Sequence, residues 1–204
     1  MGSRLGAVSI IDWSVMMYTI RQYESKDRKR VEAICLSPDT NGENTKNNIL
    51  SKALLTVFCR YYTEREPQNC FVAVDEQDEV IGYILCAENF QSWEESFTRL
   101  YLNKTINPIA KAMGKGTIDG MRPFSAEYPA HLHIDLSKKC QRQGIGTKLM
   151  DTLLEHLQKQ GIPGVMLAVA SDNEKGLNFY RKYGFQELER KKREILMGKK
   201  WTTD

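Results

Sequence analysis

Along the 204-residue chain the apolar positions switch between a period of two and a period near four, and the switches mark out successive strands and helices. Tyr18 to Tyr23 alternates as a short strand, and ESKDRKRVEAICL then places Val31, Ile34 and Cys35 on one helical face until Pro38 stops it. A stretch rich in Asn, Thr and Gly, from Asp39 to Asn48, leads into ILSKALLTVFCRYYTEREP, whose apolar residues recur at helical spacing as far as Pro67. The β-branched and aromatic runs NCFVAVDE and EVIGYILCAE flank Gln77 and Asp78 and predict an antiparallel hairpin with a tight turn.

From Asn89 to Tyr128 the pattern weakens. One or two helices are expected around Ser92 to Leu102, after which the glycines of GKGTIDG and the residues Pro123 and Pro129 read as breakers. An insertion of this length, about 89–128, is expected beside a binding cleft. AHLHIDL then alternates strictly, GIGTKLMDTLLEHLQKQG is an amphipathic helix and VMLAVAS a buried strand, an order that implies a parallel right-handed crossover. EKGLNFYRKYG gives a shorter helix ended by Gly184, and FQELERKKREILMGKKW gives two terminal strands with a basic turn.

Length favours one α/β domain, expected over 17–204, with the first 16 residues as an extension. With 41% hydrophobic and 27% charged residues the chain has the balance of a folded, soluble protein. A net charge of +3 is too mild to imply nucleic acid as a partner, and no stretch is long and apolar enough for a membrane span. The five scattered cysteines include no Cys-x-x-Cys pair, so zinc is not expected and reduced thiols in a cytoplasmic protein are.

The densest chemical signal follows the strand that ends at Leu136. In Gln141-Arg142-Gln143-Gly144-Ile145-Gly146 the glycines let the backbone turn sharply at the start of a helix. The orphan N–H groups and positive dipole end there suit a pyrophosphate, and Arg142 adds a cation. No Gly-Lys-Ser/Thr follows, so this is not a P-loop, and a glycine-rich connection without a ligand is the bland alternative.

The Q-x-x-G-x-G turn after AHLHIDLSKKC, the helix behind it and the downstream ASDNEKGLNFYRKYGF together resemble the GCN5-related N-acetyltransferase (GNAT) family. The resemblance implies a mixed, mostly antiparallel sheet of six to seven strands with helices on both faces. It implies acetyl-CoA as co-substrate, its pyrophosphate on the backbone of Gln141 to Thr147, and the backbone of Leu136 meeting the acetyl carbonyl. It also implies direct attack on the acetyl group, in a ternary complex, by an amine acceptor that is a small molecule or a protein lysine or N-terminus, with the protein a monomer or homodimer. YTIRQY, DRKRVEAICL, the FVAVDE and EVIGYIL hairpin and YPAHLHIDL are further similar to bacterial relatives of the acetyltransferase-like domain of animal O-GlcNAc hydrolases.

In the family's Phe-Tyr-x-x-x-Gly-Phe pattern, here Phe179 to Phe185, the tyrosine hydroxyl lies near the thioester sulfur, which makes Tyr180 the candidate general acid. By the same resemblance Asn173 bonds the pantetheine arm, with helix capping as a compatible role. Period two puts His131, His133 and Asp135 on one strand face. His133 is the first choice for general base because an unperturbed imidazole titrates near neutrality, with a hydrogen-bonded structural histidine as the alternative. A non-catalytic acyl-CoA-binding or protein-interaction module of the same fold is the competing functional class.

Overall fold

The computed structural model describes residues 17–36, 48–140 and 143–201; the expected extension, most of the polar stretch before Asn48, and Gln141 and Arg142 lie outside the described residues. Seven strands form one sheet: β1 (Tyr18–Gln22), β2 (Phe71–Asp75), β3 (Val80–Ala87), β4 (Ala130–Leu136), β5 (Gly164–Ala170), β6 (Gln186–Arg190) and β7 (Glu194–Lys200). Their spatial order is β1-β2-β3-β4-β5-β7-β6, and β4 with β5 is the parallel pair in an otherwise antiparallel sheet. This is the expected mixed architecture.

Alternation along the strands divides the core in two. Val72, Val74, Tyr83 and Leu85 face a layer that includes Ile34, Trp93 and Phe97, whereas Ala73, Ile81, Ile84 and Cys86 face Leu149, Met150 and Leu153. The first layer comprises α1 (Arg28–Leu36), α2 (Ile49–Leu55), α3 (Tyr61–Arg65), α4 (Phe90–Phe97) and α5 (Pro108–Met121); the second comprises α6 (Ile145–Lys159) and α7 (Glu174–Lys182). Between α2 and α3 the helix widens into a π-helical stretch, Thr56–Arg60. The β2–β3 turn places Asp78 at φ 61°, while Asp75 Oδ1 accepts from the N–H groups of Gln77 (3.0 Å) and Glu79 (2.9 Å).

One expectation needs correcting. GKGTIDG does not break the chain but lies inside α5. Each glycine costs a helix interior up to about 1 kcal/mol against alanine, yet several features outweigh this. Asn107 caps the start by accepting from the N–H groups of Ile109 (3.0 Å) and Ala110 (3.2 Å), Pro108 sits in the first turn, and Ala110, Ile118 and Met121 are buried. Gly114 is required by packing: a Cβ there would lie 2.6 Å from Leu102 Cδ2 and 3.1 Å from Phe97 Cε1. Gly116 faces open space, with nothing within 4 Å of a Cβ.

These two glycines give a matched test. Gly114→Ala should lower stability by ~1–3 kcal/mol through overpacking, and Gly116→Ala should raise it by ~0.5–1 kcal/mol. Thermal unfolding of the pair checks this; equal shifts would contradict the assigned packing of α5.

Candidate active site

Among the described residues the sheet parts between β4 and β5. β4 and β5 pair only at Ala130↔Val165 and His131↔Met166, although β4 continues to Leu136 and β5 to Ala170. On its other side β4 stays in register with β3 along its length, from His131↔Ala87 to Leu136↔Gly82. The Ser137 N–H donates to the Ile81 carbonyl at 2.9 Å. Alternation therefore turns the peptide groups of Ile134 and Leu136 away from β3, into the gap where β5 has diverged. The Leu136 side chain folds between two glycines, since a Cβ on Gly82 would lie 2.3 Å from its Cδ2 and one on Gly146 3.4 Å from its Cδ1.

Those contacts bring the first turn of α6 onto β4. Gly144, at φ 78°, stands at the N-cap of α6 with no side-chain cap, so the N–H groups that begin the helix have no side-chain acceptor there. Gln143, Gly144 and Thr147 are exposed, Ile145 is buried and anchors the turn in the core, and Gly146 keeps the backbone close to Leu136 and Phe179. A bare, positively polarised helix start beside a strand with unpaired peptide groups fits a pyrophosphate attached to an extended amide-bearing chain.

The polar face of β4 points to the α1–α5 layer, as alternation predicts. His131 is 1% exposed, with Trp93 (ring centroids 4.4 Å apart) and Tyr62 (5.7 Å) against it, and neither ring nitrogen has a hydrogen-bond partner among the described residues. Burial pushes its pKa down to about 3. His133 is half-buried, packs on Phe58 of the π-helical stretch at 4.6 Å, and is held down at about 4 by desolvation. Asp135 accepts from the Tyr83 hydroxyl at 2.9 Å; burial raises its pKa to about 6 although that hydrogen bond opposes the rise.

A cleft of about 220 Å³ opens on this face where the strands part. Its walls include His133 of β4, Phe58, Val169 of β5 and, from α5, Thr117 and Met121, so the insertion does border a cleft. Glu189, Lys191, Arg193 and Glu194 of the β6–β7 hairpin also line it.

Across the gap, α7 carries the remaining residues. Asn173 Oδ1 accepts from the Gly176 N–H at 3.0 Å, which makes Asn173 the N-cap of α7. Tyr180 packs edge-on to Phe179 (5.5 Å) and Phe185 (5.9 Å), and burial first, then the nearby Asp135 carboxylate, raises its pKa. The Tyr183 hydroxyl lies 2.8 Å from the Thr147 carbonyl and 2.9 Å from Asp151 Oδ1, tying α7 to the start of α6.

Comparison with known proteins agrees with this geometry. The sequence profile of the acetyltransferase (GNAT) family matches residues 38–185. The chain belongs to the GNAT family. It is similar to the protein O-GlcNAcase of Rattus norvegicus, 26% identical over 200 residues that cover 84% of this chain and 20% of that protein. The chain thus spans about a fifth of the length of that relative. It is also similar to N-alpha-acetyltransferase 30 of Schizosaccharomyces pombe, 26% identical over 139 residues, 68% of this chain and 71% of the other. Among solved structures, SsHAT superposes with a TM-score of 0.76 at 26% identity, covering 90% of this chain and 98% of that one.

Within this GNAT chain the structure sets Leu136 against Gly146 at the start of α6, ties that start to α7 through Tyr183 and Thr147, places His133 in the cleft wall, and sets Asn173 at the head of the helix bearing Tyr180. The pairing of Tyr83 with Asp135 is not legible in the sequence, because register across strands decides it. The alternation that placed Asp135 beside His133 was its one visible trace. Among the described residues no helix is long and apolar enough to cross a membrane, and no three His, Cys, Asp or Glu side chains converge as metal ligands.

The strand histidines make stability depend on pH. His131 takes a proton near pH 6.5 when unfolded but only near 3 when folded, so between those values the unfolded chain binds more protons and stability falls as pH falls. His133 acts in the same direction down to about 4. Asp135 acts oppositely: its folded pKa of about 6 against 3.8 makes its contribution greatest below 3.8 and lost as pH rises through 6. His131→Phe should therefore flatten the acid loss between pH 6.5 and 5 by up to about 1.4 kcal/mol per pH unit. Urea unfolding at a series of pH values measures it, and an unchanged slope would contradict a neutral buried imidazole.

Proposed function

We propose that this chain transfers the acetyl group of acetyl-CoA to an amine by direct attack in a ternary complex. The observation that carries the reading is the parting of β4 and β5 after His131, which leaves strand peptide groups facing a gap between a helix start without a side-chain cap and a cleft. The N–H groups of the turn through Gln143, Gly144, Ile145, Gly146 and Thr147 hold the pyrophosphate, with Gln141 and Arg142 preceding them. Asn173, whose Oδ1 is committed to capping, offers its amide Nδ2 to the pantetheine arm.

Acetyl-CoA supplies an acyl carbon already activated as a thioester. Leu136 directs its N–H at the acyl oxygen, where a fixed donor stabilises developing negative charge. His133, neutral at physiological pH, stands in the cleft wall as the candidate proton acceptor for the amine. Tyr180 keeps its proton because burial and Asp135 both oppose ionisation, so it is a competent donor to the departing thiolate. The cleft takes the acceptor, and the β6–β7 hairpin and α5 bound its size.

One observation favours a second reading, a non-catalytic acyl-CoA-binding module: at about 4, His133 is a weak base for deprotonating an amine. Thiol release separates the two. Purified protein with acetyl-CoA and a panel of amines, including peptide N-termini and lysine, should liberate CoA. Tyr180→Phe should reduce kcat by roughly 10²-fold with acetyl-CoA affinity unchanged. Tight acetyl-CoA binding with no amine raising turnover above background would favour the binding module.

A second variant tests the turn. Gly146→Leu should push against Leu136 and Phe179 and weaken acetyl-CoA binding by about tenfold or more, an order expected when a backbone approach is blocked. Calorimetric titration gives the affinity, and wild-type binding by this variant would move the pyrophosphate elsewhere.

A further inference from the structure

The cleft that takes the acceptor draws all its charge from one side. Phe58, Met121, Leu132 and Leu196 give it apolar walls, whereas Glu189, Lys191, Arg193 and Glu194 all come from the β6–β7 hairpin. Lys191 Nζ is bound to Glu189 Oε2 at 2.9 Å, so those two charges cancel. The neighbouring Arg190, outside the lining, is tied to Glu187 by two bonds of 2.7 and 2.6 Å. Arg193 and Glu194 are left in the cleft wall, one charge of each sign, and among the described residues neither makes an ion pair with the other or with a third group.

The backbone fixes where these two residues stand. Glu194 opens β7 opposite Ala170 of β5, and alternation puts its side chain on the same sheet face as Leu196. Arg193 lies in the turn, where its carbonyl takes the Ser171 N–H at 3.1 Å, and the Ser171 hydroxyl donates to the Lys192 carbonyl at 3.0 Å. The Lys191 N–H donates to the Glu194 carbonyl at 2.8 Å and closes the turn. From the same turn Lys191 reaches α5, since a Cβ on Gly120 would lie 3.2 Å from its Nζ. Hairpin and α5 therefore meet across the cleft, whose volume of about 220 Å³ is below the ~300–1,000 Å³ of sites for drug-sized ligands.

We propose that the acceptor is a free α-amino acid with a small apolar side chain, its carboxylate held by Arg193 and its ammonium received by Glu194. This rests on the acetyltransferase reading and names the acceptor class for it. The guanidinium fork matches a carboxylate bidentately, and an ammonium and a carboxylate on one carbon are neighbours, as are the two residues that receive them. A simple amine or a peptide N-terminus leaves Arg193 without its partner. Phe58, Met121 and Leu132 cover the apolar side chain. Pairing the carboxylate with Arg193 also withdraws its stabilisation of the adjacent ammonium, so the amine loses its proton more readily, which suits a proton acceptor as weak as His133.

The test compares kcat/KM for leucine, leucine amide and 3-methylbutylamine, which share one apolar body, in wild type, Arg193→Gln and Glu194→Gln. In parallel, leucine is titrated onto the protein with CoA present, and the Arg193 Nε–H is followed by NMR. Wild type should prefer leucine over each of the other two by about tenfold, the order of a charge-assisted hydrogen-bonded pair. Arg193→Gln should bring that ratio toward one, and Glu194→Gln should raise KM for all three amines about two- to fivefold. Both side chains are exposed, so Tm should stay near wild type and a lost preference reports recognition rather than folding. Equal use of leucine and leucine amide by the wild type, or a preference that survives in Arg193→Gln, overturns the acceptor assignment, while acetylation of any of the amines upholds the acetyltransferase reading. If no amine is acetylated that reading falls, and the titration decides the acceptor site by itself: a shift at Arg193 with leucine but not with 3-methylbutylamine supports it, and no shift overturns it.

Discussion

Everything proposed for this protein depends on the sheet coming apart at one place. The peptide groups of a buried strand must find partners, and β4 satisfies this on the β3 side along its length while losing β5 after His131. A sheet that parts in its middle exposes backbone donors and acceptors inside the fold, and an extended ligand carrying amides is what can satisfy them. The helix start at Gly144 lies at one end of the same opening and the cleft walled by Phe58, His133 and Met121 at the other. One interruption thus lies between an uncapped helix start and a cleft.

The two glycines around Leu136 show how packing supports that route. Gly82 lets the leucine side chain lie across β3, and Gly146 lets the first turn of α6 come down on it. Tyr183 fastens α7 to the same turn through Thr147 and Asp151, which fixes Tyr180 relative to the helix start. On the opposite face the π-helical stretch carries Phe58 onto His133, and α5 closes the chamber. The chemistry is therefore spread over five elements, β3, β4, α5, α6 and α7, that the sheet holds in place.

Much of this was readable in the sequence because the governing signals are local. The alternation in AHLHIDL assigned His131, His133 and Asp135 to one face, and the unbroken β3–β4 register keeps that parity, while the order strand, glycine turn, helix, strand located the parallel crossover. Two features were not readable. α5 looked broken because three glycines, Gly114, Gly116 and Gly120, oppose helix by propensity, whereas the need of Gly114 for contact with Leu102 and Phe97 appears only in three dimensions. Burial, a tertiary quantity, decided the proton affinities: it pushed His133 below the range that had recommended it and lifted Asp135 into that range.

The central claim is that the gap between β4 and β5 receives acetyl-CoA, and amide hydrogen exchange with and without acetyl-CoA tests it most directly. The account predicts new protection concentrated at the Ile134 and Leu136 amides and at the first turn of α6 from Ile145 to Thr147, with the β3-facing amides of β4 unchanged. Protection elsewhere, or none at the Leu136 amide under saturating acetyl-CoA, would contradict it.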